Sequence, residues 1–337
     1  MGYGSYSHAA HEAITSARAA LPRQAVFKQT ACHPLMNPHG IRFRESRDSA
    51  VHPESLGVVF ALDVTGSMGA IPDQIARREL PAFMTSLMDC GVRDPQVLFM
   101  AVGDAYSDKA PLQVGQFESE ADKMDQWLTW SFLEGGGGAL GSESYELGLY
   151  FAARHIDMDC FRLRGKRGYL FMTGDESPYP RVSRQQVKAL LGDELDDDLP
   201  VAVIIQELQR SFEPFFLIPD QKRRARCERG WRDLMGDNVI AMDDPADTCA
   251  VAAGLVALCE GAVADLDALA ARLKASGMDR KRLGGVMRAL TPFAAATGRA
   301  GGWPALEEAP VPGRSEAETE RSGVGTDGGG HHRPDGA

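Results

Sequence analysis

Two kinds of apolar pattern alternate along this chain. Residues 56–63 (LGVVFALD), 96–102 (QVLFMAV), 168–173 (GYLFMT), 201–206 (VAVIIQ) and 238–242 (NVIAM) carry apolar side chains at successive positions. Strands buried on both faces have that pattern. Between them apolar residues recur at helical spacing. In residues 71–90, Ile71, Ile75, Leu80, Phe83, Met84 and Leu87 share one side, Pro72 occupies the first turn and Gly91 follows the end. Helices are also predicted over 119–132, with Ser119 and Asp122 as a capping pattern, and over 145–155, 183–191, 221–235, 247–276 and 279–297. Residues 7–21 read as a short helix and 112–117 as a short edge strand. PFFLIPD (214–220) is too apolar for an ordinary loop and reads as a segment packed beneath the sheet edge; an exposed Phe215–Phe216 pair would mark a partner site.

Strands alternating with helices predict a doubly wound, mostly parallel α/β sheet with helices on both faces and one short antiparallel edge strand. The organisation reads as an N-terminal extension over 1–55, a domain over 56–262, a helical extension over 263–299 and a disordered tail over 300–337. Gly, Pro, Glu and Ser dominate that tail, which has too few apolar residues to order itself.

Composition narrows the function classes. With 337 residues, 44% hydrophobic and 25% charged, the chain is long enough for a sizeable core. A formal net charge of −11 argues against a nucleic-acid-binding face and against anionic membranes, and is compatible with attracting cations. No stretch approaches the roughly 20 apolar residues of a membrane span. The N-terminus lacks the basic and apolar regions of a secretory signal, and Tyr6 stands where myristoylation wants Ser or Thr. A cytoplasmic protein is expected. Cys32, Cys90, Cys160, Cys227, Cys249 and Cys259 are scattered, with no C-x-x-C pair, and read as reduced thiols.

In an open α/β sheet, ligands gather beyond the carboxyl ends of the strands. Three loops fall there: DVTGSMG (63–69), EGGGGALGSES (134–144) and TGDESPY (173–179). Asp63, Thr65 and Ser67 supply a carboxylate and two hydroxyls at alternate positions, and Asp175 brings a second carboxylate from a neighbouring strand end. Oxygen donors with one or two carboxylates suit a hard divalent cation such as Mg²⁺ or Mn²⁺, which would also relieve the repulsion between the two acids. A Walker loop is excluded because no lysine follows these glycines. A nucleophile elbow is excluded because GSMG lacks the spacing and His155 is the only later histidine outside the tail. A structural cap, with Asp63 and Thr65 bonded to backbone amides, stays open.

DVTGSMG resembles the D-x-[ST]-x-S signature of von Willebrand factor type A (vWA) domains, which forms their metal-ion-dependent adhesion site (MIDAS). The resemblance covers about 57–261, including the glycine-rich loop before a helix, the aspartate after strand 168–173, and NVIAMDDPAD as a final strand and helix. It implies a metal ligand set of Asp63, Thr65, Ser67 and Asp175 holding Mg²⁺, Mn²⁺ or Ca²⁺. Family members add a threonine before the third helix; this chain has none there and resembles instead the GGG-x-x-x-E-S loop of some bacterial and kinase-linked members. Ser142 and Glu143 are both candidates for that corner, with helix capping as the alternative for Glu143.

The function implied is a bacterial, intracellular protein–protein interaction module in which a partner's Asp or Glu completes the metal's coordination. A partner AAA+ ATPase is implied by resemblance only. Two other readings stand beside it: a metal-dependent hydrolase using Asp63, Asp175 and Glu143, and a scaffold whose metal only stiffens the loops. Asp104 and Asp108 read as a second layer, as lining of the binding surface or as a solvated loop, and Glu176 equally as a backbone-bonding group or a metal contact. The basic stretch 221–232 reads as a solvated or partner face, His8 and His11 as a polar helix face, and His331–His332 as part of the solvated tail.

Overall fold

A computed structural model describes residues 4–19, 21–136 and 141–298. The predicted tail lies outside them, as does the part of the glycine-rich loop at 137–140. The central sheet contains β1 (Leu56–Asp63), β2 (Pro95–Val102), β3 (Leu112–Val114), β4 (Gly168–Thr173), β5 (Phe212–Ile218) and β6 (Val239–Ala241). Their order is β3-β2-β1-β4-β5-β6. All neighbours are parallel except β3, which runs antiparallel on β2 as the outer strand. β1 is buried along its whole length, which explains its unbroken apolar run. This is the doubly wound α/β architecture that the pattern predicts.

Helices cover both faces. The longer ones are α1 (His8–Ala19), α2 (Leu80–Asp89), α3 (Ala121–Thr129), α4 (Tyr145–Arg154), α5 (Arg184–Leu190), α6 (Val201–Ser211), α7 (Gln221–Met235), α8 (Thr248–Cys259), α9 (Leu266–Ala275) and α10 (Arg280–Thr297). Strand alternation assigns the faces. Phe60 and Phe171 are register partners, and Phe83 of α2 packs edge-on against both. Ala61, Met100 and Met172 form the next row, pointing the other way, and Gly148 lets α4 lie close on Met100 and Met172. Between β1 and α2, residues Ile75–Glu79 form a π-helical turn that continues the helix from Ile71. The Tyr6 hydroxyl bonds His11 and Thr85, tying the segment before α1 to α2.

Three local expectations are corrected. VAVIIQ is no strand but the start of α6, which buries Val201, Ile204, Ile205 and Leu208 while Val203 is exposed. Its β-branched composition matched a strand, but its buried positions follow helical spacing. The missing strand is the PFFLIP segment: β5 is fully buried, Phe215 and Phe216 included, so no exposed aromatic pair exists there. Proline is unfavourable inside a central strand. Pro214 is tolerated because β6 pairs with β5 only from Phe216 onward, and Asn238 donates to the Pro214 carbonyl at 2.9 Å. The long helix predicted over 247–276 is two, α8 and α9. Gly261 turns the chain at φ 67°, and Asp265 caps α9 by accepting from Ala268 N at 2.8 Å. A further short parallel ladder, Arg44–Ser46 with Ile156–Met158, was not signalled by any apolar run.

Candidate metal and ligand-binding site at the carboxyl edge

β1 and β4 lie side by side where the chain connections part to opposite sides of the sheet, the place where such folds form a crevice. Asp63 ends β1, and Asp175 follows β4 after Gly174. Both carboxylates are fully buried. The turn after Asp63 brings Thr65 and Ser67 between them. Thr65 donates to Asp63 Oδ1 through its backbone N at 2.8 Å and its Oγ1 at 2.6 Å. Thr65 Oγ1 lies 3.2 Å from Ser67 Oγ, which donates to Asp175 Oδ1 at 2.6 Å. Four oxygens therefore form one continuous chain across the edge. Of the structural-cap reading, Asp63 does accept from a backbone amide, Thr65 N, whereas the Thr65 hydroxyl bonds Asp63 and Ser67 and no amide.

The glycine-rich loop is packed on this turn. Gly135 N donates to the Val64 carbonyl at 3.0 Å, and Gly66 N donates to the Gly136 carbonyl. A Cβ on Gly66 would lie 2.9 Å from the carbonyl oxygens of both Gly135 and Gly136. Close backbone approach is the reason for glycine there.

Tyr145, the first residue of α4, was not anticipated. Its hydroxyl donates to Asp63 Oδ2 and accepts from Asp175 N at 3.3 Å, so it joins both acidic strand ends. A Cβ on Gly174 would come within 2.3 Å of that hydroxyl. The ring packs edge-on against both Phe216 and Trp231, which are stacked on each other. The vWA resemblance places a threonine before this helix; here a hydroxyl comes from a tyrosine just inside it.

Arg223 and Arg226 were also missed. Arg223 Nε donates to Asp175 Oδ2 at 3.1 Å, Nη2 donates to the Ser67 carbonyl at 2.9 Å, and Nη1 donates to Asp220. Arg226 reaches Asp175 Oδ2 at 3.4 Å and Glu176 Oε1 at 3.6 Å. The basic stretch is therefore not wholly a solvated face. Once β5 is recognised as a strand, the start of α7 must fall at the same edge as Asp175, and that was the available signal.

Ser142 and Glu143 lie outside the oxygen chain and pair with Ser177 and Pro178 in a short parallel ladder. Ser142 is half-buried and Glu143 buried. Glu143 Oε2 has no hydrogen-bond partner among the described residues. Burial, then the nearby Asp63, Asp104, Asp108 and Glu176, pushes its carboxyl up to about 9. Burial also raises Asp63, to about 7, against the bonds from Thr65 and Tyr145 and with repulsion from Asp175. Asp104 is a buried tie rather than a solvated loop residue. It accepts from Ser107 Oγ at 2.9 Å, Ser144 Oγ at 3.3 Å and Tyr179 OH at 3.2 Å, joining three loops.

These donors fit a small hard cation. Ligands about 2.1 Å from an octahedral ion lie about 3 Å from one another, close to the spacing of the oxygen chain. Among the described residues no group of three His, Cys, Asp or Glu side chains converges as a metal cage, so hydroxyls must supply part of any donor set. No described helix is long and apolar enough to cross a membrane.

No family model and no curated protein matches the chain. Among solved structures, it is similar to a von Willebrand factor type A protein from Catenulispora acidiphila, with TM-score 0.39 and 15% identity over 61% of this chain and 42% of that one. It is similar to proximal thread matrix protein 1 of the mussel byssus, solved with a zinc-occupied MIDAS motif, at TM-score 0.38 and 9% identity over 66% and 51%. It is also similar to the pilus adhesin SpaC from Lactobacillus rhamnosus GG, at TM-score 0.38 and 12% identity over 63% and 31%. The chain thus spans between about a third and a half of these proteins, and the fold assignment stands on the strand order above.

Proposed function

We propose that this protein is a divalent-metal-dependent protein-binding module of vWA type, which captures an acidic residue of a partner. The observation that carries the reading is the meeting of Asp63, Thr65, Ser67 and Asp175 as one chain of oxygens at the carboxyl edge. Those four residues would hold the ion, Mg²⁺ or Mn²⁺ before Ca²⁺, with Glu143 and Ser142 beside it. The ion would supply a Lewis-acidic position for a partner's Asp or Glu carboxylate. The protein's own part is to order the donors. Thr65 and Ser67 are fixed by the turn, Tyr145 fixes the outer oxygen of Asp63, and Arg223 fixes the outer oxygen of Asp175. Such a charge-assisted contact gives specificity.

A cytoplasmic, bacterial multiprotein assembly is the setting proposed, with an AAA+ ATPase as a partner carried by the resemblance alone. For a hydrolase, the histidine would have to serve as base. His155 lies at the opposite end of α4 from Tyr145, bonded to the Ile41 carbonyl at 2.8 Å and to Asp193 at 2.7 Å. Affinity capture with and without EDTA tests the binding reading. Partners retained by the wild type in Mg²⁺ should be lost both with EDTA and with Asp63→Ala. Retention in both conditions would sink the proposal and leave the structural scaffold.

A further inference from the structure

Arg223 is more than one side of an ion pair. Its three kinds of nitrogen reach three separate loop ends: Asp175 after β4, the Ser67 carbonyl after β1, and Asp220 after β5. Asp220 itself is anchored as the cap of α7, accepting from Lys222 N at 2.9 Å and Arg223 N at 3.1 Å. The Arg223 side chain is only 20% exposed, and Asp175 is fully buried. The two oxygens of Asp175 are divided: Oδ1 takes Ser67 on the side of the oxygen chain, and Oδ2 takes the guanidinium. A planar fork can span three acceptors in this way; an ammonium on a flexible stem cannot.

We propose that Arg223 is a resident counter-cation that keeps the site assembled when no metal is bound and sets a ceiling on its metal affinity. The inference rests on the metal reading above. A buried carboxylate without a cation would push the β1 and β4 loops apart. Arg223 prevents this, so the donors stay in place before an ion arrives. The same fixed charge, one carboxylate away from an incoming divalent cation, repels it. Arg226, at 55% exposure, is screened by solvent and contributes much less.

The sign of the effect separates this role from simple bracing. A brace, when removed, lowers both stability and metal affinity. A counter-cation, when removed, lowers the stability of the metal-free protein and raises its affinity for metal. The test uses the full chain as wild type, Arg223→Gln and Arg223→Lys. Mn²⁺ affinity is read from free Mn²⁺ by electron paramagnetic resonance, and melting is followed in EDTA. Arg223→Gln should bind Mn²⁺ about tenfold more tightly than the wild type, because a unit charge has left the neighbourhood of a divalent ion. In EDTA it should melt about 5 °C lower or more. Arg223→Lys keeps the charge but not the fork. It should keep the wild-type affinity within about threefold and still melt below the wild type; should Arg223→Gln fail to fold, that variant carries the test. Unchanged or weaker Mn²⁺ binding by Arg223→Gln, or equal melting of all three proteins in EDTA, overturns the proposal. Absence of Mn²⁺ binding by all three overturns the metal reading and the affinity ceiling, and the melting comparison then decides the latch alone.

Discussion

The two flanks of the site carry opposite electrostatic solutions. On the α7 side, the buried acid Asp175 is met by Arg223 and Arg226. On the α4 side, Glu143 and Glu146 are buried with no cation beside them, and each has one oxygen without a hydrogen-bond partner among the described residues. Nature of the residue does not explain the difference, since all three are carboxylates. What differs is compensation. One flank is complete as folded, while the other stays protonated or waits for a positive charge from outside. A crevice built this way has a direction: an incoming cation gains most on the α4 side, and the α7 side supplies rigidity.

The joint between the flanks is the most sensitive point. Gly174→Ala would drive a methyl into the hydroxyl of the fully buried Tyr145, whose ring is held edge-on against the stacked Phe216 and Trp231. A loss of about 2–4 kcal/mol is expected in urea unfolding. A loss below about 0.5 kcal/mol would show that the flanks are not mechanically joined there.

Next comes the uncompensated flank. Burial holds the Glu146 carboxyl well above the usual range, against bonds from backbone amides including Tyr179 N and with repulsion from Asp104. Its folded pKa is raised, so the stability it allows is fully present below about pH 4.3, where the unfolded chain is also protonated. That stability is lost as pH rises toward the folded value. Glu146→Gln mimics the protonated form. It should match the wild type near pH 4 and exceed it by about 1–2 kcal/mol at pH 8 in denaturant titrations. An equal difference at both pH values would mean that Glu146 does not titrate between the two states. The smallest effect belongs to the exposed cation: Arg226→Gln should change stability by less than about 0.5 kcal/mol. A loss of about 2 kcal/mol would place Arg226 alongside Arg223 in holding Asp175.

Part of this asymmetry was visible in the chain and part was not, for definite reasons. β1 and its turn are local: an apolar run, a terminal carboxylate and alternate hydroxyls are written in consecutive residues, and the structure keeps them together. Asp175 needed only one further strand. Tyr145 and Arg223 depend on tertiary placement. Tyr145 acts from inside a helix, where an aromatic residue reads as core, and much of its ring is indeed core. Arg223 depends on β5, and β5 was hidden by Pro214 and by the more strand-like composition of the segment that became α6. Propensity yielded there to burial pattern, since only helical spacing lets Val201, Ile204, Ile205 and Leu208 meet one surface.

The outer oxygens of Asp63 and Asp175 have one more consequence. Tyr145 occupies Asp63 Oδ2, and Arg223 occupies Asp175 Oδ2. Each carboxylate would thereby offer an ion one oxygen rather than two. Calcium favours six to eight oxygens and commonly a two-oxygen grip, whereas magnesium takes single oxygens in a tight octahedron and keeps its water. If the site holds a metal as proposed, its denticity would be set by a tyrosine and an arginine outside the donor set, and the smaller ion would be favoured.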